Sequence, residues 1–251
     1  MIGRMSTHII LVPGFWLGAW AWDAVAPALR DGGHPVSALT LPGLEPDHPS
    51  RTEVGLDDHV DAIEQAVEAA RAGGAGRVVL VAHSGAAMPA TMVLDRRPDD
   101  IAQAVWVDTA PARDGYGMDA ELAGGVLPLE AAWESELEEG SMRDLTDEQL
   151  ETFRARAVPQ PGRTVQGPVR VSDPRRLGVP GTVVCCSYSA ADFRSYAEQG
   201  AGFLAALLDH TALDYVDLPT GHWPMWSRPD ELAEVIVAAA APHAPDDGGQ
   251  S

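Results

Sequence analysis

The sequence predicts an α/β fold: a mainly parallel six-stranded sheet with helices on both faces and a helical insertion. Three observations carry that expectation. Short apolar runs such as HIILV (8–12) and RVVLVA (77–82) alternate with longer stretches of helical spacing. No tight hairpin signal joins neighbouring runs, so crossovers must link the strands and leave them parallel. One stretch, 112–178, interrupts the alternation and offers no strand candidate.

The elements follow in order. His8 to Val12 reads as a buried strand, and the loop PGFWLG leads into a helix from Ala19 to Arg30, stopped by Gly32-Gly33. Val36 to Leu39 is a second strand, ended by Pro42-Gly43. Leu56, Val60, Ile63 and Val67 recur at helical spacing until Gly73-Gly74. Arg77 to Ala82 is a third strand and runs straight into a helix from Ser84 to Asp95. Ala102 to Val107, Thr182 to Ser187 and Leu213 to Leu218 complete the strands, and Pro229 to Ala240 is the last helix. Residues 1–111 and 179–243 thus form the core. Residues 112–178 form an insertion with helices at Leu129 to Glu139 and Asp147 to Ala157, the second opened by a Thr146/Gln149 capping box. An insertion of this length is expected to be a lid over the site. The tail from residue 244 is expected to be disordered.

Composition narrows the function classes. A formal net charge of −20 repels phosphate backbones and anionic membrane surfaces, so nucleic acid and membrane are excluded as partners. All 17 basic residues are arginine, which rules out lysine-based chemistry. Cys185 and Cys186 are adjacent; in a strand they point to opposite faces and share neither a metal nor a disulfide. With no signal-peptide pattern and no membrane-length apolar run, the chain reads as cytoplasmic. No metal or organic cofactor is implied, and the reading leaves room for a homodimer.

The strongest local signal is VVLVAHSGAAM (78–88). A serine at a sharp strand-to-helix turn needs small residues two positions before and after, and Ala82 and Ala86 supply them. Ser84 is therefore the candidate nucleophile, and the Gly85 N–H, at a helix start, a candidate oxyanion donor. The second donor is expected from the loop after the first strand, at Phe15. Of eight histidines, His222 in DLPTGHW follows the last strand and precedes the final helix, the place for a base. His83 adjoins the nucleophile but is expected to point away. Two aspartates compete to orient the base. Asp108 ends the fourth strand and is favoured; Asp192, beyond the fifth strand at a helix start, is the alternative.

With these motifs in order, the chain resembles the α/β-hydrolase superfamily along nearly its whole length. The stretch LVPGFWLGAWAWDAV (11–25), with Gly18, Trp20 and Trp22, is similar to the opening of the plant methylesterase and hydroxynitrile lyase branch. The sequence departs from that branch at Pro13, where histidine is usual, at Gly14, where a lyase has a hydroxyl residue, and at Trp223, where a lyase has lysine. These departures argue against cyanohydrin cleavage. The expected activity is hydrolysis of an ester or lactone of an apolar small molecule through an acyl-enzyme, with Trp16, Trp223 and Met225 in the substrate pocket. C–C hydrolysis, cyclisation or lyase chemistry at the same pair, or a non-hydrolytic receptor, are the alternatives.

Overall fold

The computed structural model describes residues 6–122 and 125–241; the tail expected to be disordered lies outside them. Six strands form one sheet: β1 (Thr7–Val12), β2 (Val36–Ala38), β3 (Arg77–His83), β4 (Gln103–Val107), and, after two short strands of another sheet, β7 (Gly181–Cys185) and β8 (Leu213–Asp217). Their order is β2-β1-β3-β4-β7-β8 and every pairing is parallel. Alternate residues explain how both faces are covered. Ile10, Val12, Leu80, Ala82, Trp106 and Val183 face α2 (Leu56–Ala72) and α3 (Ala87–Arg96) in one buried cluster. Ile9, Leu11, Val79, Val81, Val105 and Val184 face α1 (Ala26–Asp31) and the C-terminal helix α9 (Pro229–Ala240) in the other. Cys185 and Cys186 fall into opposite clusters, as alternation requires.

Several boundaries differ from the sequence expectation. The helix expected from Ala19 to Arg30 is a 3₁₀ turn at Ala19–Trp22 followed by α1. Pro27, which lacks an N–H, sits in the first turn of α1, where that lack costs nothing. The strand expected to reach Ser187 stops at Cys185, because the next two N–H groups turn aside to bond Asp108.

The segment 112–178 does contain strands, contrary to expectation. β5 (Val126–Leu127) and β6 (Gln160–Pro161) pair antiparallel, apart from the main sheet. Two-residue strands carry too few positions for a period-2 pattern, so tertiary contacts decide them. The Trp16 N–H donates to Gln160 Oε1, the Trp16 indole donates to the Leu127 carbonyl, and Val158 N–H donates to the Trp16 carbonyl. The first expected helix shortens to a 3₁₀ turn at Leu129–Ala131 and α4 (Trp133–Glu138). The second, α5 (Asp147–Arg156), carries the expected Thr146/Gln149 capping box. A further short helix, α6 (Gly162–Gln166), follows β6. After β7 come α7 (Ala190–Glu198) and, just before α9, the single turn α8 (Pro224–Ser227). No helix among the described residues is long and apolar enough to cross a membrane.

Candidate active site

The chain leaves β1 for β2 on one side and returns to β3 on the other, so a crevice opens at the carboxyl ends of β1 and β3. Ser84 follows β3 directly, and its φ of 52° lies in the left-handed region that non-glycine residues avoid. Trp16, after β1, has φ 67°; Asp108, after β4, has φ 48°. Each such residue costs about 1–2 kcal/mol of backbone strain. The concentration of that strain around one crevice marks it as the place where geometry is imposed by need.

His222 joins the ends of these strands. Its Nε2 lies 2.7 Å from Ser84 Oγ and its Nδ1 2.6 Å from Asp108 Oδ2. Asp108 is almost fully buried and accepts every donor within reach: Cys186 N–H and Ser187 N–H on Oδ1, each at 2.9 Å, and Ser187 Oγ on Oδ2 at 2.5 Å. Burial pushes its carboxyl upward, but the bond and charge of His222 and the Ser187 donors outweigh it and hold Asp108 down at about 2. Burial lowers His222, but the bond and charge of Asp108, with the charge of Glu136, raise its pKa above the ordinary value. A carboxylate fixed in this way sets the imidazole with its Nδ1–H toward Asp108 and a lone pair toward Ser84.

The remaining predicted residues divide. Asp192 is exposed and lies in the capping box of α7, where its Oδ2 accepts from Ser189 Oγ at 2.6 Å; it has no part in the crevice. Phe15 and Gly85 flank Ser84, and the Phe15 ring lies so close to Gly85 that a Cβ there would collide with it. Trp16 and Trp223 line a cavity beside Ser84. Met225, expected in the pocket, is fully buried in the cluster beneath α9 and lines neither cavity at Ser84, because the turn of α8 rotates it inward.

Sequence reasoning missed four supports. The His83 Nε2–H donates to the His222 carbonyl at 2.7 Å. Burial, then the neighbouring His222 charge, push His83 down to about 3, so it stays neutral with its proton on Nε2. Ser187 completes the Asp108 cradle. Arg143, from segment 112–178, donates through Nη2 to the carbonyls of Cys186 and Ser187 at 2.8 and 3.2 Å. Ser141 accepts the His222 N–H at 2.6 Å, and a Cβ at Gly221 would strike the Ser141 and Arg143 carbonyls. The Gly-His pair was legible as a pair; the reason for its glycine lies in a turn eighty residues earlier, a distance no local pattern spans.

Two cavities meet at Ser84 and His222 with Met118 between them. One, of about 290 Å³, is lined by Met88, Ala110, Ala112, Tyr116 and Phe203. The other, of about 230 Å³, is lined by Phe15, Trp16, Trp223, Asp119 and Glu136. Among the described residues, no group of His, Cys, Asp and Glu could hold a metal ion.

Comparison with known proteins agrees with this architecture. The family model described as "Alpha/beta hydrolase family" matches residues 9–235. A rice (Oryza sativa subsp. japonica) protein named Esterase PIR7B is 41% identical over 105 residues, which cover 41% of this chain but only 38% of that protein. The carbendazim hydrolyzing esterase of Nocardioides sp. (strain SG-4G) is 28% identical over 92% of this chain and 98% of its own length. Among solved structures, the pyrethroid hydrolase PytH superposes with a TM-score of 0.70 at 21% identity, covering 94% of this chain and 98% of that one, a likeness of fold. The chain belongs to the alpha/beta hydrolase family.

Proposed function

We propose that the chain is a serine esterase acting on small esters with an apolar part, through an acyl-enzyme. The observation that carries this is the unbroken relay Ser84–His222–Asp108, with bonds of 2.7 and 2.6 Å, opening on two cavities. In this reading His222 takes the Ser84 proton as Oγ attacks the ester carbonyl, and the Gly85 and Phe15 N–H groups stabilise the oxyanion. His222 then protonates the leaving alkoxide, and a water activated by His222 hydrolyses the acyl-enzyme. Two cavities at one serine suit an ester with substance on both sides of its carbonyl, and segment 112–178 acts as the lid that covers them. The esterase names of relatives point the same way.

A fluorophosphonate tests the proposal: one adduct is expected, mapped by peptide sequencing to residues 82–88 and absent in Ser84→Ala. Equal labelling of that variant overturns the assignment. The pH profile follows from the raised His222 pKa. The base works only when neutral, so kcat/KM on an activated ester rises with pH along one limb whose midpoint lies above the ordinary 6.5.

A further inference from the structure

The two cavities at Ser84 differ in charge. In the larger, the one carboxylate is Asp108, already committed to His222 and Ser187. The smaller is walled by three aromatic side chains, Phe15, Trp16 and Trp223, with the Phe15 and Trp16 rings 6.1 Å apart and nearly perpendicular at 78°. It also carries Asp119 and Glu136, and no arginine lines it. Neither carboxylate is ion-paired among the described residues; Asp119 accepts only the Glu121 N–H, and Glu136 is close enough for its charge to act on His222. Aromatic faces attract a cation electrostatically, and a carboxylate beside them adds a monopole of the same preference. The same walls disfavour a substrate carboxylate: two acidic side chains line them and no arginine does.

From this juxtaposition we infer that the smaller cavity is a subsite for a cationic nitrogen, an ammonium or quaternary ammonium group borne by the ester substrate. The inference rests on the esterase reading for its context but makes a binding claim of its own. The larger cavity takes the hydrocarbon part of such a substrate, so the ester would be amphipathic: apolar on one side of the carbonyl, cationic on the other.

The test separates binding from turnover. Choline and its uncharged isostere 3,3-dimethylbutan-1-ol are titrated into the intact protein by calorimetry at low ionic strength, with wild type, Glu136→Gln and Asp119→Asn compared. Choline is expected to bind at least about fivefold more tightly than the isostere. That margin should shrink with added salt and in each variant, because screening and charge removal weaken the same attraction. The Kd ratio is internal to each protein, so partial misfolding of a variant does not alter it. Equal affinities, or tighter binding of the isostere, overturn the proposal, as does a margin unchanged in both variants. Turnover is read in parallel on choline butyrate and 3,3-dimethylbutyl butyrate. Choline selectivity without fluorophosphonate labelling at Ser84 would overturn the esterase reading and leave the cation site standing.

Discussion

The carboxyl edge of the main sheet and the segment 112–178 contribute to one crevice in different ways. The sheet edge supplies side chains: Ser84 directly after β3 and Asp108 directly after β4, at strand ends that the pleat and hydrogen-bond ladder hold in place, and His222 on the loop that follows β8. The segment supplies none of the three, yet it is no detachable cover. Its turn at 140–144 holds the base loop through Ser141 on the His222 N–H, and through Asp144, at φ 68°, on Thr220. Arg143 from the same turn ties down the two residues whose N–H groups cradle Asp108. One region carries the three candidate reacting groups and the other holds them in register. A site can thus depend on a stretch that contains no reacting group.

The sharpest way to break that comparison is within the sheet edge. Asp108→Asn should lower kcat/KM on an activated ester by roughly 10³–10⁴, since the amide favours the wrong imidazole tautomer. Asp192→Asn, measured beside it, should cost only a few tenths of a kcal/mol of stability in a thermal melt. A large kinetic loss in the second and none in the first would reverse the assignment.

The segment's share is tested by Arg143→Ala. Loosening the 186–187 carbonyls lets Asp108 shift, and a misplacement near 1 Å costs roughly tenfold to a hundredfold in kcat. KM should change far less. Wild-type kcat in this variant would reduce the segment to a cover after all.

His83, at the end of β3, holds the base loop through the His222 carbonyl and gives a pH signature. Its folded pKa is depressed to about 3, so the neutral form is the one the fold holds. Below the ordinary 6.5 the unfolded chain takes up a proton that the folded chain refuses, so stability falls as pH drops from 6.5 toward 3. His83→Phe should lose part of that slope in denaturant titrations, the rest belonging to His59 and His210, which burial also pushes down to about 4, and, without the bond to the His222 carbonyl, should also lower kcat. A slope equal to wild type would place the acid sensitivity elsewhere. Asp108 acts lower: its stabilisation is complete above its ordinary 3.8 and fades as pH falls toward 2.

The smallest effect is expected at the cap of α5. Thr146→Ala should destabilise by about 1 kcal/mol with kcat unchanged, because the Thr146 hydroxyl caps α5 by accepting the Gln149 N–H. A change in kcat would show that the helix transmits to the crevice, by way of Gln149 Nε2 on the Trp226 carbonyl.

The sequence by itself determined the parallel sheet and the positions of Ser84 and His222. Each depends on a local pattern: an apolar run of strand length, small residues around a serine, a glycine-histidine pair after the last strand. It favoured Asp108 over Asp192 from strand position alone. Tertiary structure decided the rest. Whether Met225 faced a cavity or the core depended on the rotation of one helical turn, and β5 and β6 formed because Trp16 offered them donors and an acceptor. Ser141, Arg143, His83 and Ser187 act through backbone carbonyls and N–H groups of residues far away in the chain. Such bonds leave no periodicity and no required residue type, since any residue offers the same carbonyl, and only the folded chain brings donor and acceptor within 3 Å.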